Sequence, residues 1–374
     1  MDESISDNDC EFINANPDYD TTSTLDDEET IESNYTPQNV KDSGYSDIGD
    51  PIIECIHCGA LMWYQEKTEK RKHSDVPKFQ LCCGNGKVVL PLLNEPPPLL
   101  KHLLFDDNDT DCINYQQYCR LYNIMFAFSS PGMKFDNRYQ SAGGPPNIRI
   151  HGQTCHRIGS MLALDGETPK FAQLYIYDTE NEIHHRMKGI GHNPNVNPET
   201  VRKLKLMLDE FNTHAKIFRM AADRLKDSHV PDLKLKLIVD RSKDGRVYNQ
   251  PTVSEVAALI VCDVDTGSKR HIILERQSGK LKRISEFHPS YLALQYPLLF
   301  PYGEDGFRIG ILHRETKAKK KKNKLTIREW LTFRIQTRPT EAHTLLMSRR
   351  LFQQFLVDGF TMMESQRLNY IRKH

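Results

Sequence analysis

Cys55 and Cys58, with two residues between them, and the adjacent pair Cys82 and Cys83, after twenty-three intervening residues, are the side chains whose type and spacing could do chemistry. A Cys-x2-Cys turn places two thiolates on the same side of the chain, the usual first half of a tetrahedral metal site. Adjacent cysteines on a strand point to opposite faces, so Cys82 and Cys83 can both ligate only if the backbone turns there, which Gly84 permits. His57, inside the first turn, is expected to point away from the ion, whereas His73 could replace one of the paired thiols. The competing reading is four small buried apolar side chains. Four protein ligands leave no open position for water, so a zinc ion held by Cys55, Cys58, Cys82 and Cys83 would brace a small fold and activate nothing.

The compartment must keep those thiols reduced. The N-terminus has neither the basic start nor the apolar stretch of a signal peptide, and with nine cysteines metal binding outranks disulfides. No run of eighteen apolar residues is present, which excludes a helical membrane span. The net charge of zero over 374 residues conceals an asymmetry. Residues 1–50 hold fifteen Asp and Glu against Lys41, a balance of −14, and the rest of the chain carries +14. That acidic arm has few large apolar residues and reads as disordered. It reads either as an internal competitor for the surface that phosphates would use or as a tail that only keeps the protein soluble.

The elements that must position the cysteines are expected to be α+β: a zinc-finger-like module over 51–105, a mixed α/β central domain over 106–312, a basic linker over 313–324 and a helical C-terminal segment over 325–374. Strands are expected at Lys87–Leu93, halted by Glu95 and the prolines Pro96 to Pro98, then at Asn147–His151, Phe171–Tyr177, Leu233–Val239, Ala258–Cys262 and His271–Glu275. A helix is expected over Tyr115–Tyr122. A second, from an Asn197 cap with Pro198 at its first position, carries an apolar stripe from Val201 through Leu204, Leu208, Phe211, Ala215, Phe218 and Ala222 to Leu225. With two alanines in that stripe and no opposite-charge pairs beside it, the helix should face a core rather than form a coiled coil. The run His288 to Gly303, rich in aromatics, leucine and proline, is expected to form the core seam.

Lysines cluster at Lys317, Lys319, Lys320, Lys321, Lys322 and Lys324, and arginines including Arg349 and Arg350 are interleaved with aromatics further on. Such a run reads as a nuclear import signal, a phosphate-contacting loop or a solvated turn. Lys319, Lys320, Lys321, Lys322, Arg349 and Arg350 are the candidate nucleic-acid contacts.

Five stretches, CCGNGKVVLPLL, FAQLYIYDTENE, SEVAALIVCD, HPSYLALQYPLLFPYGEDG and SRRLFQQFLVDGF, resemble the N-terminal part of plant Helitron transposases, rolling-circle, helicase-like transposable-element proteins. The resemblance covers roughly residues 50 to 374. It implies a zinc-finger-like N-terminal module, a replication-initiator endonuclease that nicks single-stranded DNA through tyrosine and a metal held by His-hydrophobic-His, and a C-terminal helicase. Little of that chemistry transfers. None of the fifteen histidines begins a His-hydrophobic-His triplet. Tyr118 and Tyr122 have the spacing of paired nicking tyrosines but precede the expected position, and read as core aromatics. Gly84-Asn85-Gly86-Lys87 lacks the pattern of a phosphate loop. The expectation is a nuclear, DNA-binding N-terminal fragment, truncated before the nicking and helicase motifs and not itself an enzyme, with single-stranded or transposon-end DNA as partner. The alternative is a protein-interaction scaffold.

Overall fold

A computed structural model describes residues 48–68, 76–131, 134–135, 150–151, 155–178, 180–191, 193–226, 233–261, 271–278, 280–314 and 324–373. Residues 1–47 of the acidic arm, His73 and the lysines from Lys317 to Lys322 lie outside them.

The cysteine region has little regular structure. β1 (Ile53–Glu54) and β2 (Leu61–Met62) form an antiparallel hairpin, with Ile53 opposite Met62. The stretch Lys87–Leu93 belongs to no strand. Pro91 has no N–H for a ladder, and the segment is held instead by single contacts. Arg314 N donates to Lys87 O at 2.8 Å, Ala342 N to Leu93 O at 3.2 Å, and Leu93 N to Glu341 Oε1 at 3.0 Å.

The prolines that end this segment also start a helix. Pro98 opens α1 (Pro98–Phe105), where the missing N–H and fixed φ of a first-position proline cost nothing, and Leu100, Leu103 and Leu104 turn inward. α2 (Thr110–Phe126) contains the expected helix and is capped by Asp109, whose side chain accepts from Asp111 N. Short strands follow at β3 (Ser130–Pro131), β4 (Lys134–Phe135), β5 (Ile150–His151) and β6 (His156–Ile158).

Phe171–Tyr177, expected as a strand, contains a 3₁₀ helix over Phe171–Tyr175. Tyr175 is drawn to a helical core: it stacks on Phe128 with ring centroids 4.3 Å apart and donates its hydroxyl to Phe126 O at 2.7 Å. Packing there overrides strand propensity. α3 (Glu182–Gly189) then carries Arg186, whose guanidinium lies over the Phe126 and Tyr175 rings, 4.6 and 4.4 Å from their centroids.

The long helix expected from Val201 to Leu225 is two, α4 (Pro198–Phe211) and α5 (Thr213–Leu225). Asn212 breaks it. With an extended φ, ψ of −82°, 120°, its side chain accepts from His214 N and Ala215 N, at 2.9 and 3.1 Å, and so caps α5. Asn212 Nδ2 also reaches Phe300 O at 3.3 Å, which ties the break to the core seam. The Asn197 cap and the first-position Pro198 are as expected.

β7 (Leu233–Leu237) buries Leu233, Leu235 and Leu237 in strict alternation. The short α6 (Val253–Val256) leads into β8 (Ala257–Val261), and β9 (Ile272–Leu274) completes an antiparallel sheet of order β8-β7-β9. β10 (Lys282–Ile284) joins β6 and β3 in another. Every described strand pairing is antiparallel, so helices and sheets are segregated and the fold is α+β.

The run from His288 to Gly303 is the seam expected of it: every residue from His288 to Pro301 is buried, including α7 (Tyr291–Gln295). α8 (Ile327–Arg334) and α9 (Arg349–Lys373) supply the helical end. Asp358 on α9 accepts from the Tyr296 hydroxyl at 2.5 Å and meets His156 Nε2 at 3.1 Å, fixing the last helix to the seam. Buried side chains from Cys55 to Met362 form one hydrophobic cluster that runs through the cysteine region, the seam and both terminal helices.

Candidate metal centre

The four cysteines that sequence spacing nominates come together. Their Sγ atoms all lie within 4.8 Å of one another, and Cys55, Cys82 and Cys83 are buried while Cys58 is partly so. A tetrahedral ion with metal–sulfur bonds of about 2.3 Å separates neighbouring sulfurs by about 3.8 Å. Cys55 and Cys83 are 3.9 Å apart and Cys82 and Cys83 3.8 Å, so the residues present fit such an ion without rearrangement.

Each pair is held by its own turn. In the first, Cys58 N and Gly59 N donate to Cys55 O at 3.3 and 2.8 Å, and Gly59 takes φ 69° to close the hairpin. In the second, Gly84, Asn85 and Gly86 have φ of 61°, 61° and 82°, a left-handed stretch that glycine tolerates and asparagine accepts most readily of the other residues. This turn brings the adjacent thiols onto one side, and Gly86 N donates to Cys83 Sγ at 3.2 Å. The His57 ring lies against Gly86, so close that a Cβ there would stand 2.9 Å from Nδ1. His57 therefore packs on the outside of the second turn and supplies no ligand. The glycines that superficially suggest a phosphate loop belong to this turn.

With protons alone the cluster is in conflict. Hydrogen bonds from Cys58, then from Cys82 and Cys83, hold the Cys55 thiol far below the ordinary range, whereas bonds to Cys55 and Cys58 push Cys82 and Cys83 far above it. One thiolate suppresses its neighbours; a divalent cation lets all four ionise together.

Outer contacts bolt the site to the body. Arg338, fully buried, donates from Nε to Cys58 O at 3.0 Å and from Nη1 to Glu341 Oε2 at 2.7 Å, and its Nη2 stands 4.0 Å from Cys58 Sγ. Arg334 donates to Pro91 O at 2.7 Å and pairs with Glu341 at 3.3 Å. Arg334, Arg338 and Glu341 thus form a buried ion network between the cysteine turns and the segment after α8.

The other nominated residues are not gathered there. Lys319, Lys320, Lys321 and Lys322 lie outside the described residues, as does His73. Arg349 and Arg350 are exposed at the start of α9, and Arg349 donates to Gln116 Oε1 at 2.8 Å. Tyr122 is wholly buried, with its hydroxyl donating to Asn114 Oδ1 at 2.7 Å and accepting from Asn197 N at 3.0 Å. Tyr118 is partly buried against the same core, at a kink in α2.

A second convergence escapes sequence reasoning. His102, Asp109 and Cys112 place one ligand atom each within 4.8 Å of the others, where the acidic stretch 106–111 reads as a mere spacer. Burial, then the nearby Asp109, pushes the Cys112 thiol up to about 11. The available signal is a histidine and a cysteine flanking that stretch, one on each side of a helix break.

No protein family, no curated protein and no solved structure matches this chain.

Proposed function

We propose that this chain is a zinc-braced, non-catalytic DNA-binding section of a Helitron-like transposase, acting in the nucleus on single-stranded or transposon-end DNA. The observation that carries it is the closed cluster of four sulfurs. Four thiolates in a tetrahedron suit zinc, and a site with no open position braces a fold instead of performing hydrolysis. What the brace supports is cationic. A cleft of about 980 Å³ is lined by Arg241, Lys243, Lys282, Arg283 and Arg308 against Asp240 and Asp244, and Leu312 also lines it. Leu312 bridges to Lys324, so both ends of the lysine-rich stretch meet at that cleft. Arg314 N, two residues beyond, bonds Lys87 O, four residues past Cys83. Together with the +14 of residues 51–374 and the resemblance to Helitron transposases, this favours a phosphate backbone as ligand.

A protein-interaction module is the second reading, favoured by Val357, Phe360, Leu368 and Ile371, exposed along one side of α9. Binding of a fluorescent single-stranded oligonucleotide, followed from about 50 to 200 mM salt, separates the two. Neutralising several phosphates should weaken binding steeply, by a slope of about −0.7 in log K per log salt for each contact. A flat response, or no binding at low salt, removes the DNA reading and leaves the interaction module.

A further inference from the structure

We propose that His102, Asp109 and Cys112 form a second metal site, an open one that takes a zinc-like divalent transition-metal ion in the turn between α1 and α2. This proposal is independent of DNA binding and of the four-cysteine cluster.

The donors come from three places that the turn brings together. His102 lies in the last turn of α1, Asp109 caps α2, and Cys112 sits in the first turn of α2. His102 Nε2 is 3.1 Å from Asp109 Oδ2 and 3.5 Å from Cys112 Sγ. A tetrahedral zinc with ordinary bond lengths sets its nitrogen and oxygen ligands about 3.4 Å apart and its nitrogen and sulfur ligands about 3.6 Å apart. Two edges of this triangle thus match a face of a coordination tetrahedron, and the third, between Asp109 and Cys112, lies within 4.8 Å.

The surroundings divide the work as metal sites do. Asp109 uses Oδ1 to accept from Asp111 N at 3.0 Å, which leaves Oδ2 for the ion. His102 turns Nδ1 toward Asp106 Oδ2 at 3.4 Å, an outer carboxylate that orients the ring and leaves Nε2 facing inward. Gln116 Nε2 reaches the carbonyls of Leu103, Leu104 and Asp106 at 3.3 to 3.4 Å, pinning the turn. Cys112 is fully buried, whereas the His102 and Asp109 side chains are 47% and 41% exposed, so an ion can enter from solvent. Three protein ligands leave the fourth position to water or another donor. A simple His–Asp ion pair accounts for His102 and Asp109 but not for the sulfur on the same nitrogen, although that thiol also lies 3.4 Å from His102 O.

The test is titration of the metal-free full chain with cobalt(II), whose thiolate charge-transfer and visible absorption report each site. Two equivalents are expected: a first with the spectrum of a tetrathiolate and a second, weaker one with a single thiolate. D109N keeps a side-chain oxygen for the cap, and H102Q lies on the surface, so both should fold. Each should weaken the second equivalent about tenfold or more while leaving the first intact. C112S should abolish the second charge-transfer band. One equivalent in the unmodified chain, or a second equivalent unchanged in both H102Q and D109N, overturns the proposal. The fate of the four-cysteine cluster is read separately in the first equivalent.

Discussion

The cysteine turns and the aromatic seam hold their backbones in opposite ways. The described residues of 51–93 contain two two-residue strands and one 3₁₀ turn, and leave Ile52, Ile56 and Leu81 exposed. Residues 288–301 bury every side chain, with Tyr296, Leu298, Leu299 and Phe300 at 1% exposure or less. Apolar burial of that kind contributes roughly 25 cal/mol per Å² and works without any ligand. The first region buries only a few side chains, among them Met62, Phe79, Val88 and Leu90, in the common core, and coordination by its four cysteines is the further source of order proposed for it. The two differ in what can dissolve them.

Metal removal should produce the largest effect. Structural zinc contributes about 10–16 kcal/mol of apparent binding energy in small zinc modules. Chelation, or Cys83→Ser, should raise amide hydrogen exchange across 53–68 and 76–93 by orders of magnitude while the seam, from Tyr291 to Phe300, stays protected. Equal loss in both regions on chelation would mean that the ion holds the whole fold and that the contrast is false.

The joint between the regions comes next. Arg338→Met removes the guanidinium that holds Cys58 O and leaves Glu341, itself buried, with Arg334 as its charged partner and Leu93 N as a neutral donor. Breaking a buried ion pair from one side costs about 3–5 kcal/mol. Urea unfolding of the metal-loaded protein should show that loss, with the metal of the four-cysteine cluster still bound at neutral pH. Metal lost together with stability would show that Arg338 belongs to the site and does not merely anchor it.

Legibility followed the same division. The cysteine cluster was readable because Cys-x2-Cys and a glycine after Cys83 are local instructions, each satisfied within a few residues. The seam was readable from composition alone, and β7 from its Leu and Lys alternation. What failed depended on distant partners. The helix break at Asn212 is written locally as an Asn-Thr cap, but the apolar stripe continues across it, and the cap acts where Phe300 and Tyr302 meet it. Phe171–Tyr175 has strand composition, yet Tyr175 is claimed by α2, α3 and α5. The grouping of His102, Asp109 and Cys112 exists only after two helices have been turned against each other.

Acid distinguishes the two regions more finely, and with the smallest effect. In the cysteine turns it would protonate the thiolates and release the proposed ion, whereas in and beside the seam it acts on buried imidazoles. His288 is pushed down to about 3 by burial and then by the charge of Arg241, and His214 likewise. Both are neutral in the folded protein, while in the unfolded chain they take up protons near 6.5. A depressed imidazole thus contributes stability that is complete above 6.5 and lost as pH falls toward 3, at about 1.4 kcal/mol per pH unit for each residue. Glu304 runs the other way, since burial raises its carboxyl to about 7 and its contribution declines as pH rises from 4.5. That term is common to any His288 variant and cancels in a difference. His288→Asn retains an acceptor for Ser290 N, which His288 Nδ1 now binds at 3.1 Å, and removes the titration. At neutral pH the variant should be the less stable protein. The gap measured by urea unfolding should then shrink by about 1.4 kcal/mol for each unit below 6.5, while the pH of metal release stays the same in both proteins. A gap that does not change between pH 7 and 4.5 would show that His288 titrates alike in the folded and unfolded chains, and would place the acid sensitivity of the seam elsewhere.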